Sequence, residues 1–365
     1  MNEINNNSIF TDLKVLELSS VLAGPAVGMF FAELGAKVIK VENSKTGGDV
    51  TRSWKMNIED REAETSAYYH SVNWNKEVHQ LDLSDEQERS RVYEWVRDTD
   101  IVIANFKHGS AVKLGMEYES LKAINPALIY ASISAYGKHD PRPGFDVSMQ
   151  AETGWVYMNG DENGPPTKMP VALIDILAAH QLKEGILIAL INRMKSGGAK
   201  GCEVHVSLFD SSLASLANQA SNWLNLGILP ERQGSKHPNI APYGDILTTK
   251  YGLQVMVTTG TQKQFKQLCK TLDLETMIKD PKFSTNAKRL ENRTEMIEIL
   301  QNQAAKYNFQ ELQDKNPNLR ALMVPIQNLQ QVFEYPEAQK LILRQTEADG
   351  SVSKRVGTVG FRISD

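Results

Sequence analysis

Residues 13–42 read LKVLELSSVLAGPAVGMFFAELGAKVIKVE, and the spacing of their apolar positions changes twice. Leu13-Lys14-Val15-Leu16-Glu17-Leu18 alternates as a strand does. Gly24-Pro25 then opens a helical run through Met29, Phe30, Phe31 and Leu34. Gly35 stops that run, and Lys37-Val38-Ile39-Lys40-Val41-Glu42 alternates again. A strand, a helix and a strand so closely spaced predict a parallel pair joined by a crossover.

Working outward, the theme recurs. A helix is expected from about Ser84 to Arg97, a strand at Asp100–Ala104, a helix near Leu121 and a strand at Leu128–Ile133. This alternation predicts an α/β fold, a large doubly wound Rossmann-like domain on a parallel sheet. Glycine and proline cluster from Gly137 to Pro170 and mark loops at the sheet edge. A long helix carrying Asp175 follows, then a strand at Cys202–Val206 and a helix from about Phe209 to Leu226. Turn residues fill 227–242, which reads as a linker. A hairpin at Ile246–Val257 and a run of helices to Leu319 predict a smaller α+β domain over 243–324, with 325–365 returning to the large domain of 1–226.

Composition narrows the function. Charged residues make up 23% and hydrophobic ones 41% of 365 residues, an ordinary soluble globular balance with room for two units. A formal net charge of -4 without a basic block gives no expectation of nucleic acid. Cys202 and Cys269 are too few for a disulfide framework or a zinc site, so no metal is expected and a reducing cytoplasm fits. The N-terminus lacks the layout of a signal peptide. The longest uncharged stretch, Leu18–Ala32, falls short of the ~20 apolar residues that span a bilayer, so no membrane partner is expected.

Asp175 is the most telling single residue. It stands between apolar runs, and the pattern beyond it (Leu182, Ile186, Leu187, Ile188, Leu190, Ile191) predicts a helix buried nearly all round. A carboxylate there is either satisfied structurally or used chemically. Asp146, at a loop-to-helix transition, reads first as an N-cap and second as a catalytic group. The phosphate-loop, Gly-x-Gly-x-x-Gly and Gly-x-Ser-x-Gly signatures are missing. The turn Ser19–Pro25 before a helix N-terminus is either a plain βα connection or a phosphate site.

In order and spacing these segments resemble the class III CoA-transferase family, the formyl-CoA transferase and carnitine CoA-transferase group. The likeness is carried by Ala23-Gly24-Pro25, Leu34–Glu42, Gly47-Gly48-Asp49, Asn75-Lys76, Leu81-Asp82-Leu83, Asn105-Phe106, Gly144-Phe145-Asp146, Val206–Asp210, His237–Tyr243 and Asp280–Asn286. The resemblance implies an interlaced homodimer whose substrates are an acyl-CoA and a free carboxylic acid. It places the catalytic aspartate at Asp175, which would form a covalent aspartyl intermediate. It points to Val21, Leu22, Asn75, Lys76, Lys113 and Tyr136 for coenzyme A, and to Thr258–Gln262, with Gly260 and Gln262, as the segment covering the site. The related α-methylacyl-CoA racemases carry a histidine where this chain has Phe145, which cannot carry a proton. A CoA-binding protein without turnover would have no use for the aspartate.

Overall fold

A computed structural model describes residues 9–198 and 200–364. Six strands, β1 (Lys14–Leu18), β2 (Lys37–Asn43), β3 (Lys76–Leu81), β4 (Ile101–Ala104), β5 (Ile129–Ser134) and β6 (Cys202–Ser207), form a wholly parallel sheet in the order β3-β2-β1-β4-β5-β6. The helices used below are α1 (Ala23–Glu33), α2 (Glu86–Val96), α3 (Tyr118–Ile124), α4 (Asp146–Glu152), α5 (Leu173–Lys195), α6 (Ala217–Leu226), α7 (Gln262–Thr271) and α8 (Arg293–Ala304).

The pleat of the strands sorts their side chains into two cores. Val15, Val38, Ile101, Ile103 and Ile129 pack with α1 and α5 on one face. Leu16, Leu18, Val102 and Tyr130 pack with α2 and α3 on the other. A parallel sheet covered on both faces favours apolar residues at nearly every position, which is how β4, Ile101-Val102-Ile103-Ala104, reads, while Glu17 and Lys40 break the pattern in β1 and β2. The strand order reverses between β1 and β4, and in such sheets ligands bind beyond the carboxyl ends of the strands at that point.

Two compact units make up the chain. The larger holds the described residues up to Trp155, Lys168–Leu229, and those from Glu337, including the hairpin β10 (Ile342–Thr346) and β11 (Val352–Val356). The smaller holds Val156–Thr167 and Pro230–Pro336. Its antiparallel sheet β7-β8-β9 (Ile246–Thr248, Gln254–Val257, Met323–Pro325) packs Leu247, Val255 and Met323 against Phe265 of α7 and Leu300 of α8. The expected linker at 227–242 thus falls mostly inside the smaller unit, together with a segment drawn from the loops before Asp175. Arg232 donates to the carbonyls of Gly164 and Tyr157, both at 3.1 Å, and Gly234 N to Gly160 O at 2.9 Å, which ties the two stretches together.

Helix α5 departs from its expected all-round burial. Ile174, Asp175, Ala178, Ala179, Leu182, Lys183, Ile186 and Ala189 are buried on one face, while Ile188, Ile191 and Met194 are exposed. Among the described residues no helix is long and apolar enough to cross a membrane.

Candidate active site

Asp175 is the third residue of α5 and 8% exposed, and no hydrogen bond to its carboxyl group is present among the described residues. Burial first, and the neighbouring Asp146 carboxylate second, push its pKa up to about 7. The positive end of α5 works the other way, favouring charge in the first helical turn. The group is therefore poised near neutrality and is not locked into a structural pair.

Asp146 does not cap its own helix. Phe145 holds the N-cap position of α4, and Asp146 is the first helical residue. Its Oδ1 instead accepts from Ile174 N at 2.8 Å and more loosely from Asp175 N at 3.4 Å, so it caps the helix that carries Asp175. Gln150 fixes the arrangement: its Nε2 donates to Asp146 Oδ2 at 2.7 Å, and its Oε1 accepts from Met169 N at 2.8 Å. Two carboxylates are thus brought to one helix terminus.

Tyr68 is drawn into the same neighbourhood. Burial, and after it the charges of Asp175, Asp146 and Asp49, hold its phenol above the ordinary range. Its ring packs edge-on against Trp54 at 5.1 Å. Sequence reasoning missed it because Ala67-Tyr68-Tyr69 carries no periodic signal, and only the fold brings its phenol within electrostatic reach of Asp175.

The turn after β1 is held from several sides. Ser20 exchanges two hydrogen bonds with Asn105, which follows β4: Ser20 N to Oδ1 at 3.0 Å and Asn105 Nδ2 to Ser20 O at 2.8 Å. Val21 N donates to Asp49. The amides of Leu22, Ala23 and Gly24 have no partner among the described residues. Val21 and Leu22 therefore stand at the switch point, beside unengaged donors at a helix N-terminus. Lys113 lies in the connection that follows β4 and is exposed, with no ion pair among the described residues. Tyr136 follows β5, but its hydroxyl donates to Glu152 at 2.8 Å and the Arg142 guanidinium covers its ring at 3.8 Å.

Asn75 and Lys76 do not join them. They stand at the amino end of β3, the opposite end of the sheet, and line a cleft of about 640 Å³ with Trp74, Lys37 and Arg344. The Lys76 ammonium turns inward to Glu17 Oε2 at 2.7 Å, Pro25 O at 2.9 Å and Asn73 Oδ1 at 3.0 Å. The same Glu17 meets Lys40 at 2.8 Å, and Lys40 meets Asp49 at 3.2 Å, so four charged groups neutralise one another under α1. Burial pulls both lysines down, but Lys40 faces two carboxylates and ends above its ordinary value. Lys76 shares one carboxylate with a second ammonium and falls to about 8. Gly28 makes room for this cluster, since a Cβ there would lie 1.8 Å from Glu17 Oε2.

In the smaller unit, Thr258–Gln262 is anchored. Thr258 N donates to Leu322 O at 2.8 Å, and Gly260 N and Thr261 N donate to Gln264 Oε1 at 3.2 and 3.0 Å. The buried Arg289 holds Gln262 Oε1 at 2.6 Å, which leaves the amide nitrogen of Gln262 as the free donor.

Comparison with known proteins identifies the family. CoA-transferase family III matches residues 10–364. A succinate–glutarate CoA-transferase of Agrobacterium fabrum is 36% identical, over 97% of this chain and 89% of the relative. The human succinyl-CoA:glutarate CoA-transferase is 35% identical, over 82% of this chain and 67% of the relative. A CAIB/BAIF family protein from Brucella suis superposes with a TM-score of 0.81 at 36% identity, covering 97% of this chain and 92% of that one. The chain belongs to CoA-transferase family III.

Proposed function

We propose that this CoA-transferase moves coenzyme A between acyl-CoA and a free dicarboxylic acid, with the Asp175 carboxylate as nucleophile. The position of Asp175 carries the reading: a buried carboxylate without a hydrogen-bond partner among the described residues, at the start of a helix, with a pKa of about 7. Succinate and glutarate, named for two relatives, suggest the class of acid.

An Asp175 oxygen attacks the thioester carbon, the C–S bond breaks, and a mixed anhydride and CoA thiolate result. The thiolate then attacks the aspartyl carbonyl, releasing the donor acid and leaving an aspartyl-CoA thioester. The acceptor carboxylate repeats these two steps in reverse order, and Asp175 is regenerated. A weakly hydrated carboxylate is the better nucleophile, which fits its burial. Each carbonyl addition develops an oxyanion, and preorganised donors would stabilise it. The Tyr68 hydroxyl stands within the electrostatic reach of Asp175 for that purpose. Val21, Leu22 and Lys113 are proposed CoA contacts, the unengaged amides serving phosphate and Lys113 supplying charge. Tyr136 is proposed to serve through its ring, since its hydroxyl is occupied.

The active form is proposed to be a homodimer, the interlaced one that the family resemblance implies. Helix α6 buries none of its residues, and Trp223, Leu224 and Leu226 are 51%, 78% and 67% exposed, an apolar surface that a second copy would cover.

Hydroxylamine trapping tests the chemistry. Incubation with succinyl-CoA and hydroxylamine should leave a hydroxamate on the peptide containing Asp175, and Asp175→Ala should abolish transfer while CoA still binds. A fully active alanine variant refutes the mechanism.

A further inference from the structure

The turn between β1 and α1 runs through a backbone conformation that its sequence disfavours. Val21 has φ 74°, in the left-handed region where a β-branched residue is an outlier. Such a residue persists only where its surroundings over-determine it, and strain of this kind gathers at functional sites. Here the surroundings are explicit. Both carboxylate oxygens of Asp49 accept from Val21 N, at 3.1 and 3.3 Å. Lys40 Nζ grips the turn twice, through Ser19 O at 2.8 Å and through Asp49 Oδ2 at 3.2 Å. Asp49 is fixed in turn by Thr51 N at 3.1 Å, by Thr51 Oγ1 at 2.8 Å and, through its own N–H, by Glu42 Oε2 at 3.0 Å. Ser19, Lys40, Glu42, Asp49 and Thr51 are all buried.

The consequence lies one residue further on. With the Val21 N–H consumed by Asp49, the next three amides are those left without partners among the described residues.

We propose that Asp49, clamped by Lys40, is a positioning residue for acyl-CoA: it holds Val21 in the left-handed conformation and so aims the Leu22–Gly24 amides at the CoA moiety. This rests on the reading that CoA binds at the switch point. It goes beyond that reading by assigning the buried Lys40–Asp49 pair a task in substrate recognition.

The test is a double-mutant cycle read by titration calorimetry with CoA and by steady-state kinetics with succinyl-CoA. Asp49→Asn should weaken CoA binding and raise KM about tenfold while kcat stays within about twofold, the scale of one strained residue released. In a Val21→Gly background the same substitution should cost about threefold or less, because glycine takes a positive φ unaided. An equal loss in both backgrounds, no loss in either, or a fall in kcat at constant KM overturns the proposal. If Asp49→Asn leaves Lys40 too poorly compensated to fold, the Lys40→Met/Asp49→Asn pair restores charge balance and carries the same comparison. A parent protein that binds CoA but yields no hydroxamate refutes the aspartyl mechanism and leaves this cycle readable.

Discussion

Replacing Asp175 by asparagine removes a titration that the fold opposes. Burial and Asp146 raise the carboxyl pKa from 3.8 to about 7, roughly 3 pH units, or about 4 kcal/mol at 1.36 kcal/mol per unit. Below pH 3.8 the carboxyl is neutral in folded and unfolded chains alike, and it costs the fold nothing. Between pH 3.8 and about 7 the unfolded chain ionises while the folded one keeps its proton, so stability falls by about 1.4 kcal/mol per pH unit. Above pH 7 the loss levels off. Asp175→Asn has no such titration, so its stability advantage over the parent should widen by about 3 kcal/mol from pH 5 to pH 8 and then hold. Urea unfolding of both proteins across that range reads the difference. If the ionised carboxylate is the attacking form, as proposed, the parent's kcat/KM should also show an acid limb centred near pH 7. A stability difference independent of pH, or an acid limb near pH 4, would refute the reasoning.

Asp146→Asn keeps an acceptor for Ile174 N but removes the charge facing Asp175; the acid limb of the pH–rate profile should move down by about one pH unit, with burial supplying the shift that remains. Glu17→Gln strips Lys76 of its carboxylate and leaves Lys40 with Asp49, so urea unfolding should register a loss of about 3–5 kcal/mol. Leu224→Asp places a charge on the bare face of α6, and light scattering should show the proposed dimer shifted to monomer; an unchanged mass would refute α6 as its interface.

The parallel sheet was legible because each βαβ step writes its own periodicity; the strand order β3-β2-β1-β4-β5-β6 came only from the structure. Asp175 was legible because a carboxylate amid leucine and isoleucine has few structural excuses. What escaped depends on contacts between distant residues. Glu17 and Lys40 interrupt two central strands, and a parallel register pairs them directly, so a signal for the buried cluster existed in the strands themselves. Lys76 read as a ligand-binding cation because sequence shows a charge without its direction, and the side chain turns under α1. Asp146 stood correctly at a helix start, but the helix it caps begins at Leu173, twenty-seven positions on. The third strand of the smaller sheet, Met323–Pro325, is too short to carry a period.

Helix α5 joins two properties on one rod. Its 23 residues span about 34 Å at 1.5 Å per residue, with Asp175 in the first turn and the uncovered Ile188, Ile191 and Met194 towards the far end. A partner copy packed on that distal half would bear on the same rod that presents the proposed nucleophile, so substitutions remote from the chemistry should register in turnover before they register in substrate affinity.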